Sequence, residues 1–256
     1  MKDASNVAMQ RACDFASKFN AKITALFVST DTFNHFTDSK KFLEGFCTSK
    51  NIGLKIIDRK GKIYDEVVRL QKCSNFSLVL VRAIEDSGWR LFKRNDVSKV
   101  VVNSLCPVIS FKENSDTSSF KNILLPIEDS KTTRQKVPIC SELARAFGST
   151  IHILGVSKSA KNEKKENIQS YIRQTERFLT ERGIKYTVKS DFGVNVPEKL
   201  VSYGKETNAG LIVIMTDSES SSIFKDSYLL QLLNNSSIPV MSINSKDTLI
   251  VGSAGY

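Results

Sequence analysis

Short, nearly continuous apolar runs alternate along this chain with longer stretches whose apolar residues recur at helical spacing. The second half shows it best. Phe120–Ile127 reads as a strand ending in Glu128-Asp129-Ser130, and Lys131–Phe147 as a helix with Val137, Cys140, Leu143, Ala144 and Phe147 on one face. Gly148 stands where a helix-ending glycine belongs. Further elements are expected at Thr150–Val156 (strand), Ile168–Arg182 (helix, followed by Gly183), Ile184–Lys189 (strand), Glu198–Thr207 (helix, opened by Pro197), Leu211–Met215 (strand), Ser227–Asn234 (helix) and Pro239–Ile243 (strand). The charged stretch Lys158–Lys165 reads as a solvated loop. Strands that are apolar at successive positions have both faces buried, so the alternation predicts parallel sheets covered by helices.

The first half repeats the order. Helices are expected at Asn6–Phe19, Ser39–Ser49, Lys62–Cys73 and Asp96–Asn103, with strands at Lys22–Val28, Leu54–Asp58, Ser77–Val81 and Pro107–Phe111. Phe92-Lys93 and Pro107-Val108 recur as Phe224-Lys225 and Pro239-Val240, both pairs 132 positions apart. A repeat of this length means two copies of one folding unit. The expected units are residues 1–113 and 120–245, joined by the polar, serine-rich Glu113–Ser119, with a tail at 246–256.

Aligning Ala16–Ala21 with Ala144–Ser149 leaves the first unit without a counterpart of the strand Phe120–Ile127. That strand would be central, and an empty central slot exposes two rows of backbone groups, each costing about 1–3 kcal/mol if buried without a partner. Either the first unit rearranges or something fills the slot. One candidate filler is the apolar run Thr248-Leu249-Ile250-Val251, from the same chain or from a neighbouring copy; otherwise the tail is a plain extension and the strand is simply missing from this sequence.

Composition narrows the class. With 41% hydrophobic and 25% charged residues among 256, the chain is an ordinary globular protein. No apolar run approaches the ~18 residues that span a bilayer, and no secretory leader is read at the start. Five cysteines without CxxC spacing and two distant histidines predict a reduced, cytoplasmic protein with no metal site. The net charge of +10 raises an acidic partner or nucleic acid as a question, but no nucleic-acid motif accompanies it, so a lysine-rich surface is the preferred reading.

The segments Lys121–Ser130 (KNILLPIEDS), Asn208–Thr216 (NAGLIVIMT), Ser237–Ile243 (SIPVMSI) and Leu105–Phe111 (LCPVISF) resemble the first, fourth and closing strands of the universal stress protein family. The resemblance covers both halves and implies a tandem member: α/β, two doubly wound parallel five-stranded sheets of order 3-2-1-4-5, the first lacking its own first strand. It also implies closing strands that pair antiparallel. In a tandem chain Pro107–Phe111 and Pro239–Ile243 would then meet within one molecule, with homodimerisation as a further option. Ligand is implied at the carboxyl ends of strands 1 and 4, the switch point of such sheets.

Many members of that family bind ATP through glycines after strand 4, where backbone amides approach phosphate. This chain departs from the pattern at every glycine. Thr216 takes the first position, Glu219 lies near the second, and Asp226-Ser227 replaces Gly-Ser. A carboxylate ~5 Å from a phosphate oxygen is unfavourable by ~3 kcal/mol at an effective dielectric of ~20, and Asp217, Glu219 and Asp226 each threaten such a repulsion. Glu128 matches the acidic position placed beside adenine and ribose, and Ser130 follows it. In the first half, Arg82, Trp89 and Arg94 (with Arg90 and Lys93) offer the opposite charge and a stacking face, making this loop the preferred anion site. No persuasive catalytic set exists: His152 lies within a strand, and Cys106 has no histidine near it in sequence.

The expectation is therefore a non-enzymatic, stress-response binding or regulatory protein with degenerate nucleotide pockets, no resident cofactor (an adenine nucleotide being the one candidate) and a partner that the sequence does not identify. The alternatives are an ATP-binding, slowly hydrolysing relative and a basic adaptor for nucleic acid or an acidic partner.

Overall fold

A computed structural model describes residues 5–29, 36–83, 94–112, 120–216 and 224–245. The first half comprises α1 (Ser5–Phe19), β1 (Ile23–Ser29), α2 (Thr37–Ser49), β2 (Leu54–Lys60), α3 (Ile63–Cys73), β3 (Val79–Ala83), α4 (Arg94–Asn103) and β4 (Val108–Lys112). The second comprises β5 (Asn122–Ile127), a 3₁₀ turn (Lys131–Lys136), α5 (Val137–Phe147), β6 (Thr150–Ser157), α6 (Asn162–Glu181), β7 (Tyr186–Phe192), α7 (Val196–Glu206), β8 (Leu211–Thr216), α8 (Phe224–Asn235) and β9 (Val240–Asn244). This is the α/β alternation that the apolar pattern predicts.

Two of the boundaries that differ do so for local reasons. The helix expected over Lys131–Phe147 is a 3₁₀ turn followed by α5, because Pro138 lacks an N–H and fits only at a helix start, where it stands. The 3₁₀ turn is opened by Ser130, whose hydroxyl accepts from the Thr132 N–H. α6 begins six positions earlier than expected, so Asn162–Asn167 is helical rather than looped. Charge hid this turn, since Glu and Lys are good helix formers that need no apolar face. Gly148 caps α5 at φ 65°, and Gly183 follows α6 at φ 64°.

The strands distribute differently from one sheet per half. Seven form one sheet in the order β3-β4-β9-β8-β5-β6-β7, and β1 and β2 stand apart as a parallel pair. In the second half every neighbour is parallel, with β5 between β6 and β8. The two halves join where β4 and β9 run antiparallel, Val108 opposite Ser242, Ile109 opposite Met241 and Ser110 opposite Val240. Ile109 thus faces the residue 132 positions on.

The break lies where a strand between β1 and β3 would complete the first half. Among the described residues no strand bridges the β1–β2 pair to the larger sheet, and a cavity of about 1490 Å³ separates the edges. Ile151, Ile153 and Leu154 of β6 are fully buried against β5, whereas Ile23, Ala25 and Leu26 in β1 are only half-buried.

The main core runs on both sides of the seven-stranded sheet. One side joins Phe15 of α1 with Phe120, Ile109, Met241 and the inward residues of β5 and β6. The other joins α4, α7 and α8 across β8 and β9. Cys13, Cys47, Cys106 and Cys140 are buried and Cys73 is exposed. Thiol labelling of the native protein should therefore show one fast-reacting equivalent, with the other four appearing only on denaturation. Two or more fast thiols would contradict this packing.

Candidate functional site

The second half presents its switch point at the carboxyl ends of β5 and β8. These strands pair at Ile123–Leu211 and Leu124–Ile212. Beyond that, Pro126 has no N–H to contribute, and the ladder stops short of the strand ends. Glu128, Ser130 and Thr216 all stand at this end of the sheet, so the structure brings three of the sequence-predicted residues to one region.

Their polar groups are already engaged. The Glu128 carboxylate accepts a hydrogen bond from the Tyr228 hydroxyl at 3.0 Å, and the Glu128 backbone N–H donates to Thr133 Oγ1 at 3.0 Å. Asp129 is paired with Lys164 Nζ at 3.1 Å and accepts from Asn167 Nδ2 at 3.3 Å. Ser130 Oγ lies 2.7 Å from Thr132 Oγ1. The Thr216 hydroxyl donates to the Ile243 carbonyl at 3.3 Å. Desolvation of the Tyr228 hydroxyl, then the negative charge of Glu128 and their hydrogen bond, pushes the phenol pKa well above its ordinary value. Tyr228 is therefore neutral and donates across the whole physiological range.

A second feature lies below this layer. Lys136 is fully buried, and its Nζ donates to the buried Thr133 hydroxyl at 3.0 Å. The sequence reading passed over Lys136, Thr133 and Tyr228. Lys136 was findable, because it stands four and seven residues before Cys140 and Leu143 and so shares the apolar face of α5. Tyr228 carried no signal, since its partner lies 100 residues away. The charged first turns of α6 also have a structural role, in holding Asp129.

The remaining candidates fall elsewhere. Arg82 is in β3, opposite Phe111, at the rim of the large cavity. Because β4 and β9 are antiparallel, Arg82 lies at the opposite end of the sheet from Glu128 and Thr216. Trp89, Arg90 and Lys93, like Asp217 and Glu219, lie outside the described residues, as does the tail at 246–256. Arg94 opens α4, and Asp226 and Ser227 fall in the first turn of α8; the side chains of these three also lie outside the described set. His152 in β6 bonds Thr187 Oγ1 at 2.8 Å and Asn122 Oδ1 at 3.1 Å, with its pKa lowered by burial. Both ring nitrogens are thus occupied by neutral partners. Cys106 is buried beside Ser104 and Gln71. Among the described residues no group of three or more His, Cys, Asp or Glu is placed to hold a metal ion, and no helix is long and apolar enough to cross a membrane.

No protein-family model matches the chain, and no curated protein matches it in sequence. Solved structures do. A universal stress protein from Archaeoglobus fulgidus DSM 4304 superposes with a TM-score of 0.71 at 18% identity, over 96% of this chain and 96% of that one. A protein of unknown function from Pseudomonas aeruginosa PAO1 gives 0.69 at 13% identity, over 94% and 89%. At such identities the likeness is one of fold: this chain has the α/β, Rossmann-like fold of a universal stress protein along nearly its whole length.

Proposed function

We propose that this chain is a non-catalytic binding or regulatory module of the universal stress protein type, built as a tandem of two units in which the nucleotide pockets have degenerated. The observation that carries the reading is the Tyr228–Glu128 hydrogen bond. The acid that the resemblance assigns to adenine and ribose is engaged from inside the protein, and its neighbours Asp129 and Ser130 are satisfied in the same way. A nucleotide would have to displace these bonds, and the loop that should cradle phosphate carries no glycine between Thr216 and Ser227. Without bound nucleotide there is no hydrolysis to catalyse. The antiparallel register of β4 and β9, centred on two residues related by the 132-residue repeat, supports a chain that is its own pseudo-dimer.

The test is ATP titration by calorimetry, with phosphate release followed in parallel. The expected result is no saturable binding up to about 1 mM, that is, an affinity weaker than about 4 kcal/mol, and no release above background. Stoichiometric micromolar binding that is lost in Glu128→Ala would replace this reading with that of a nucleotide-binding protein.

A further inference from the structure

We propose that Cys13 and Cys47 form an oxidation site, a thiol pair that closes to a disulfide and so fastens the β1–β2 layer to the main body through α1. The two sulfurs are in contact, Sγ to Sγ 3.7 Å, and both side chains are buried. A disulfide needs about 2.05 Å, so the gap to close is about 1.7 Å, shared between two side chains. Cys13 lies within α1, but Cys47 belongs to the last turn of α2. There its carbonyl accepts from the Lys50 and Ile52 N–H groups at 3.2 and 2.9 Å, where the helical ladder ends. A helix end opens at lower cost than a helix middle, so the Cys47 side supplies the movement and admits a small oxidant.

The surroundings hold the pair in register and give the bond a consequence. Lys50, three residues after Cys47, reaches Asp14, next to Cys13, at 3.1 Å, and so staples the two helices beside the thiols. Cys13, Leu43 and Cys47 are the buried members of a small core in which α1 and α2 cover Ile23 and Ala25 of β1 and Leu54 of β2. Two of its three buried side chains are thiols, so this layer has little apolar burial of its own to hold it. Among the described residues its strands also make no pair with the larger sheet. α1 is the bridge. Phe15, two positions after Cys13 and so on the opposite side of the helix, belongs to the main core, its ring 5.2 Å from that of Phe120. A bond from Cys13 to Cys47 therefore ties α2 and its strands to a helix anchored in the main core.

The oxidant is a hydroperoxide, hydrogen peroxide being the smallest. On opening of the α2 end, Cys47 loses its proton and attacks a peroxide oxygen; the O–O bond breaks, and the hydroxide that leaves takes up that proton as water. Burial, and then the hydrogen bond with Cys47, pushes the Cys13 thiol up to about 12, so Cys13 stays protonated until it is called on. Its sulfur then attacks the Cys47 sulfenic acid. The S–S bond forms, the S–O bond breaks, and the hydroxyl leaves with the Cys13 proton as a second water. The two electrons given up by the sulfurs have reduced one peroxide.

The test uses Cys73→Ser, which removes the exposed thiol and leaves four of the five cysteines. Overnight exposure to hydrogen peroxide should leave two free thiols on denaturation, with the Cys13 and Cys47 peptides joined in the digest. The oxidised protein should melt about 4–16 °C above the reduced one, and dithiothreitol should reverse every change. Cys13→Ala in the same background should give no joined peptide and no rise in Tm, and should trap Cys47 as a dimedone adduct. Four thiols surviving the exposure would overturn the proposal, as would losses falling equally on Cys106 and Cys140. So would a disulfide that forms between chains, or a joined pair whose Tm is unchanged or lower.

Discussion

Ile109→Lys should lower the melting temperature by about 8–16 °C, the largest effect expected of any single exposed-to-buried contrast in β4. Ile109 is fully buried, sits opposite Met241 (1% exposed) and belongs to the core that also contains Phe15, Leu125 and Val213. An ammonium placed there has no anionic partner and no route to water, a defect that costs at least about 4 kcal/mol. For a chain of this size each kcal/mol moves Tm by about 2–4 °C. Val102→Lys is the control, since Val102 is 44% exposed and a lysine there should change stability by less than about 0.5 kcal/mol. The comparison by thermal unfolding asks whether β4 lies inside a continuous sheet or at a free edge. An edge strand accepts lysine readily, so equal melting of the two variants would mean that β4 and β9 are not joined.

The same pair shows what the sequence made legible. The recurring Pro-Val strands, with their constant offset, identified β4 and β9 as equivalent edges, and continuous apolar runs identified the parallel strands. Those signals are local, one residue type after another along a few positions. Merging two sheets into one depends on edge pairing between segments 132 positions apart, which leaves no local pattern. The site divides along the same line. Glu128, Ser130 and Thr216 sit at strand ends and could be placed by counting. That Glu128 is occupied by Tyr228, and Asp129 by Lys164 and Asn167, is settled by helices folding back over the strand ends. Net charge could not show it either, because Tyr228 and Asn167, which engage the two acids, carry no charge.

Alkaline pH should destabilise the protein from about pH 9 upward, and Cys140 should account for a measurable share. Burial pushes the Cys140 thiol from 9.0 up to about 12, with the positive charge of Lys136 acting weakly the other way. A thiol is neutral when protonated, so a raised folded-state pKa means that the folded protein holds the proton that the unfolded chain releases. Below pH 9 both states keep it and there is no effect. Between pH 9 and about 12 only the unfolded chain ionises, which favours unfolding. At pH 10.5 the difference amounts to about 2 kcal/mol, or about 4–8 °C in Tm. Cys13 adds in the same direction: burial, and then its hydrogen bond with Cys47 at 3.7 Å, raises it to about 12. Tyr228 joins above pH 10, where the unfolded phenol ionises and the folded one does not. Cys140→Ala isolates one contribution. Its Tm should fall between pH 8 and pH 10.5 by about 4–8 °C less than that of the unaltered protein, even though the lost sulfur makes it less stable at pH 8. An identical fall in both proteins would mean that Cys140 ionises in the folded state, and that the face of α5 shared by Cys140 and Lys136 is open to water.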